Sequence, residues 1–135
     1  MVKLRAMEIV YLQENELSTA EFIQILAEST LAERRPIHDF ERMELMMKHC
    51  NLVITARHEG ELVGVARSWS DFSFTTYLAD LAISEVYQSK GIGKELIKKT
   101  KLGAPLAKLI LLAAPKAIDY YPRIGMEKHE ACYVL

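Results

Sequence analysis

The stretch Ile83-Ser84-Glu85-Val86-Tyr87-Gln88-Ser89-Lys90-Gly91-Ile92-Gly93-Lys94 has the spacing of an anion cradle. An apolar run, Leu81-Ala82-Ile83, passes into a turn with two close glycines, and a helical pattern begins there. The first N–H groups of a helix lack intrahelical acceptors, and the macrodipole adds partial positive charge. Glycine lets backbone approach a ligand with no Cβ in the way. Lys90 and Lys94 add full charges, and Lys98, Lys99 and Lys101 continue them along the helix. A pyrophosphate suits such a place. Two familiar phosphate loops are excluded. A Walker loop needs four residues between its glycine and Gly-Lys-Ser/Thr, and a dinucleotide fingerprint needs a third glycine where Leu96 stands. A bare Gly-x-Gly also describes an ordinary strand-to-helix turn with a solvated lysine face.

Other side chains with chemical capacity are scattered. Glu33-Arg34-Arg35 forms a charged elbow before Pro36. Adjacent arginines can hold a carboxylate or phosphate, or can simply end a helix in solvent. The histidines and the cysteines Cys50 and Cys132 show no paired metal-ligand spacing, so no metal is expected. Met43, Met46 and Met47 sit at helical spacing and read as core fillers.

These groups must be positioned by a chain of 135 residues, a length that fits one domain over residues 1–135. A net charge of -1 excludes a general polyanion binder, so no nucleic-acid partner is expected. The lysine stripe lacks a second basic patch and an aromatic platform that would change that. No apolar run reaches the roughly 20 residues of a membrane span. The N-terminus lacks a signal-peptide core, and two cysteines make no disulfide scaffold. A soluble, cytoplasmic protein with no membrane partner is the expectation.

The periodicity predicts an order β-α-α-β-β-β-α-β-α-β. A first strand falls within Val2–Leu12. A helix capped by Ser18 or Thr19, with Glu21 at capping-box spacing, continues to the elbow at Glu33. Asp39 begins a second helix with Phe40, Met43, Leu45, Met46 and Met47 as apolar members. Leu52–Arg57 and Leu62–Trp69 read as strands joined by the tight turn His58–Glu61. Tyr77–Ile83 is a further strand. Gly93–Leu102 is a helix stopped by Gly103 in the left-handed position. Leu106–Leu112 reads as a strand buried on both faces. Pro115 opens a short helix through Tyr120, and Met126–Leu135 returns to extended structure.

Gln88-x-x-Gly91-x-Gly93, after Leu81-Ala82-Ile83 and at a helix start, closely resembles the Q/R-x-x-G-x-G/A motif of the GNAT superfamily of N-acetyltransferases. Tyr120-Tyr121-Pro122-Arg123-Ile124-Gly125-Met126 resembles the family's aromatic-Tyr-x-x-x-Gly-aromatic segment. Gly60-Glu61-Leu62-Val63-Gly64 matches its recurrent hairpin between second and third strands. The resemblance covers essentially the whole chain. It implies an α/β (α+β) fold with a mixed, mostly antiparallel sheet splayed at the cofactor strand and flanked by helices.

The resemblance further implies an acetyl-CoA-dependent N-acetyltransferase acting on a primary amine of a small molecule or peptide, by direct attack in a ternary complex. The alternative is a non-catalytic CoA-binding or interaction module on the same fold. Backbone around Gln88, Ser89, Lys90, Gly91, Ile92, Gly93 and Lys94 is implied to hold the pyrophosphate. Leu81, Ala82 and Ile83 are implied to hold the pantetheine arm at a bulge and to polarise the thioester. Tyr121 aligns with the general acid; it otherwise packs under the sheet. Tyr120 is implied to pack beside the cofactor. Asp80 is the first choice for general base, or else a polar group pairing locally, and Glu33 is the second. Glu33, Arg34, Arg35 and Trp69 are implied to wall the acceptor pocket. Only Met126–Leu135 remain after the tyrosines, so the sheet ends in one strand or a short pair, or a partner subunit completes the edge in a homodimer.

Overall fold

The structure, a computed structural model, describes residues 7–135. Ser18 opens α1 (Thr19–Glu28), its hydroxyl accepting the Glu21 N–H at 3.1 Å and satisfying a donor that helix geometry leaves unpaired. Glu21 does not reciprocate. Its carboxylate receives Arg57 at 3.0 Å, so only half of the capping box forms. The helix stops earlier than expected, because Thr30 takes a left-handed backbone (φ 75°) and the elbow becomes a separate tight turn, Leu31–Arg34. Asp39 caps α2 (Phe40–His49) by accepting the Arg42 N–H. Met43 and Met47 point inward, whereas Phe40 and Leu45, expected on the apolar face, are exposed.

Five strands form one sheet in the order β1 (Val10–Gln13), β2 (Leu52–His58), β3 (Glu61–Ser70), β4 (Thr75–Ile83) and β5 (Lys108–Leu111). Neighbours pair antiparallel as far as β4, and β5 lies parallel to β4. The crossover is α3 (Ile92–Gly103). The first part of the predicted N-terminal strand, residues 2–6, lies outside the described residues; the observed strand starts at Val10.

The strand pleat sends successive side chains to opposite faces, which accounts for the continuous apolar runs of β2 and β3. Val53, Val65 and Ala82 pack with Phe22, Leu26 and Met43 under α1 and α2. Leu52, Ile54, Ala66 and Leu78 pack with Leu96 under α3. Gly103 ends α3 for a packing reason, not a conformational one. A Cβ there would stand 3.0 Å from Leu52 Cδ1, and its φ is not left-handed.

Two departures shape the C-terminal side. The strand predicted as buried on both faces alternates exposed and half-buried residues, so one face of β5 is open and the other only partly covered. Met126–Leu135 carries no strand pairing, so it adds no strand to the β5 edge of the sheet. The β4–β5 ladder is also short. It joins Thr75–Leu78 to Lys108–Leu111 and ends there, while β4 continues to Ile83 against β3 alone. At the same point Arg67 faces Asp80 and Ser68 faces Leu78, leaving Ala79 as the extra residue of a β-bulge.

Candidate active site

The parted strands open a cleft of about 1070 Å³. One end is the start of α3. Ser89 (φ 62°) and Gly91 (φ 82°) both take left-handed backbone, and α3 begins directly after this turn, at Ile92. Gln88 closes the turn by donating its side-chain amide to the Ile83 carbonyl at 3.1 Å. Gln88, Ser89, Gly91, Ile92, Gly93 and Lys94 line the cleft, as do Leu81 and Ile83. Lys90 and Ala82, also expected there, do not; the Ala82 side chain belongs to the core under α1 and α2. The lysine stripe disperses as well. Lys99 lies 3.8 Å from Glu95, and Lys101 donates to the Ala107 carbonyl.

Gly93 has a further reason to be glycine. A Cβ there would stand 2.9 Å from the Tyr120 hydroxyl and 3.3 Å from Ile83 Cδ1, so the missing side chain seats Tyr120 against the start of α3. Tyr120 opens α4 (Tyr120–Arg123), a single turn ended by Gly125 at φ 95°, where the chain reverses and the Met126 N–H returns to the Tyr121 carbonyl at 3.1 Å. Both tyrosines are half-buried cleft residues, with ring centroids 5.3 Å apart and planes 74° apart. Burial pushes the Tyr121 phenol above its ordinary value, and Tyr120 beside it adds to the rise. Burial also raises Tyr120, in part offset by the Lys94 backbone. Each hydroxyl therefore holds its proton at neutral pH and can donate it.

At the other end stands a buried ion triad. Asp80, 1% exposed, receives Arg35 Nε on one carboxylate oxygen and Arg67 Nε on the other, each at 2.5 Å. Arg35 also donates to the Ala79 carbonyl at 3.1 Å and to the Arg34 carbonyl at 2.9 Å. Arg67 donates to the Met46 carbonyl and lies 4.6 Å over the Trp69 ring. The base role expected of Asp80 does not fit this geometry, since both its oxygens are taken by guanidinium groups. Arg35 lines the cleft but is likewise committed to the protein. Glu33 is exposed and outside the cleft lining. Arg34 does line the cleft, and its guanidinium has no hydrogen-bond or ion-pair partner among the described residues.

Trp69 lines the cleft as expected, its indole N–H donating to the His49 carbonyl at 2.7 Å. Its stacking partner Tyr77, 6.1 Å away with planes 10° apart, was not anticipated, because the pairing depends on the β3–β4 register. Asp71 keeps the connecting loop in place by accepting the N–H groups of Ser73, Phe74 and Thr75, which hold its carboxyl down at about 2. Arg67 was also missed, although a charge inside the apolar run Leu62–Trp69 was the available signal.

The cleft is thus framed by a mixed five-stranded sheet parted after four antiparallel strands, with a glycine turn at one end and a tyrosine inside. The family model described as "Acetyltransferase (GNAT) family" matches residues 16–126. The chain belongs to this family. It is 28% identical over 127 residues to an uncharacterised N-acetyltransferase of the alga Porphyra purpurea, covering 88% of this chain and 71% of that one. Among solved structures, a GNAT-family acetyltransferase of Streptococcus pneumoniae superposes with a TM-score of 0.78 at 19% identity, over 95% and 96% of the two chains. An aminoglycoside N-acetyltransferase in complex with CoA superposes with a TM-score of 0.73 at 12% identity, over 99% and 97%. At these identities the solved structures share the fold. No helix among the described residues is long and apolar enough to cross a membrane.

Two outcomes follow for stability, each read from urea denaturation. Asp80→Ala leaves two arginines without their buried counterion and lowers stability by about 3–5 kcal/mol. Gly91→Ala places a Cβ in the left-handed region and costs about 1–2 kcal/mol, with the overall fold retained by circular dichroism.

Proposed function

We propose that this chain is an acetyl-CoA-dependent N-acetyltransferase that acetylates a primary amine of a small molecule or peptide, with both substrates bound together. The reading rests on the parting of β4 from β5 after Leu78. It leaves the Ala79–Ile83 side of β4 without a strand partner, facing a cleft that runs from the start of α3 to Tyr121. The residues suit the cosubstrate. A Cβ built on Gly91 meets nothing within 4 Å, so the loop backbone is open to a pyrophosphate, and Lys94 adds charge beside it.

Acetyl-CoA supplies the acetyl group as a thioester. In this reading the first N–H groups of α3 bind the pyrophosphate, and the unpaired edge of β4 orients the pantetheine arm. A backbone N–H near Leu81 to Ile83 donates to the thioester oxygen as charge develops on it. The amine nitrogen forms the new C–N bond as the C–S bond breaks. The ammonium first loses a proton to water in the open cleft, so that the neutral amine attacks. Tyr121 then gives its proton to the departing sulfur, and the proton released from the nitrogen after attack returns through water to Tyr121. Asp80 serves as a positioning residue, holding the bulge and the elbow in register through its two arginines.

Calorimetry with acetyl-CoA, followed by thiol release in the presence of amines, tests the reading; absence of acetyl-CoA binding at millimolar concentration overturns it. Tyr121→Phe is expected to lower kcat by roughly 10²- to 10⁴-fold, the usual worth of a general acid. Tyr121 acts in its protonated form, so activity that depends on it falls only as pH rises through its pKa. That alkaline fall is expected above the ordinary phenol value of 10.0, and Tyr121→Phe should abolish it.

A further inference from the structure

The acceptor half of the cleft is charged on one side only. Arg34, Arg35 and Arg67 line it, and Asp80 is the sole carboxylate among them. That carboxylate is spent on Arg35 and Arg67. The remaining acid of the lining, Glu85, sits beside the glycine turn at the opposite end. The two triad arginines leave one net positive charge, and Arg34 adds another that no group among the described residues neutralises. Resting on the transferase reading above, we propose that the acceptor is an amine carrying a carboxylate, and that Arg34 receives that carboxylate.

Three observations support Arg34 in particular. Its backbone is held, because the Arg34 carbonyl accepts Arg35 Nη1 at 2.9 Å and Arg35 is anchored in turn on Asp80. Its side chain is exposed and uncommitted, so the planar guanidinium fork is free to meet a carboxylate in bidentate fashion. The stacked rings of Trp69 and Tyr77 on the same half of the cleft offer an apolar surface for the carbon skeleton. The same charge pattern disfavours a polycation. An aminoglycoside would bring several ammonium groups to a wall of guanidinium groups with no free acid to meet them.

The test compares four classes of acceptor in the same thiol-release assay with acetyl-CoA: an amino acid series of increasing chain length, the matching carboxamides, the matching aminophosphonates and an aminoglycoside. The best acid should exceed its carboxamide in kcat/KM by roughly 10- to 100-fold, as expected for a charge-assisted contact. Arg34→Gln should bring that ratio close to one, and Arg34→Lys should restore part of it. As a second readout, the N-acetylated acid should bind the CoA-loaded protein in calorimetry, and the N-acetylated carboxamide should bind more weakly by a similar factor. Equal use of acid and amide overturns the proposal. So does preference for the aminoglycoside or aminophosphonate, an unchanged acid preference in Arg34→Gln, or failure of every acid both to react and to bind. In any of these cases thiol release with some other amine leaves the transferase reading intact. Only the absence of acetyl-CoA binding removes that reading itself.

Discussion

A carboxylate buried to 1% in a protein interior is tolerable only when its charge and lone pairs are met, and Asp80 is met twice. The three members of this triad come from three separate places. Arg67 belongs to β3, Arg35 belongs to the elbow between α1 and α2, and Asp80 itself belongs to β4. One side chain therefore fixes how the elbow sits on the sheet. Arg35 extends the same linkage to the Ala79 carbonyl at the bulge, so that the irregular part of β4 has a dedicated hydrogen-bond donor. The triad is better read as a device for placement than as a source of net stability, since desolvation offsets much of the attraction between buried ions.

The bulge and the end of the β4–β5 ladder fall within two residues of each other. This coincidence makes the cleft. Up to Leu78 the sheet is continuous; beyond it β4 keeps one neighbour and loses the other. The edge thus exposed lies inside the molecule, next to α3 and α4, rather than on the outside where it would invite another strand. The positive end of α3, the unpaired stretch of β4 and the tyrosines of α4 then surround one space. Gly93 ties two of these parts together, since the side chain it lacks is the room that the Tyr120 hydroxyl occupies.

Much of this was legible in local patterns. The caps at Ser18 and Asp39, the β2–β3 hairpin, the strand-to-helix glycine turn and the Tyr121-to-Gly125 spacing are all set by residues within a few positions of one another. Their resemblance to the acetyltransferase family was correct for the same reason. The misreadings share a different cause. Asp80 read as a general base or a locally paired group, because its two partners lie 13 and 45 residues away. Gly103 looked like a left-handed stop when the deciding neighbour is Leu52. Leu106–Leu112 looked doubly buried because apolarity alone does not say whether both faces of a strand are covered.

Hydrogen-bonding geometry and backbone sterics act between near neighbours, and the chain order already specified where helices begin, where turns reverse and where an anion is welcome. Charge compensation and close packing act between whichever groups the fold brings together. They settled which arginines are consumed by Asp80, which glycines are spaces for other side chains, and that Arg34 is left uncommitted in the cleft. The first kind of information is written in spacing along the chain, and the second exists only once β3, β4 and the elbow have met.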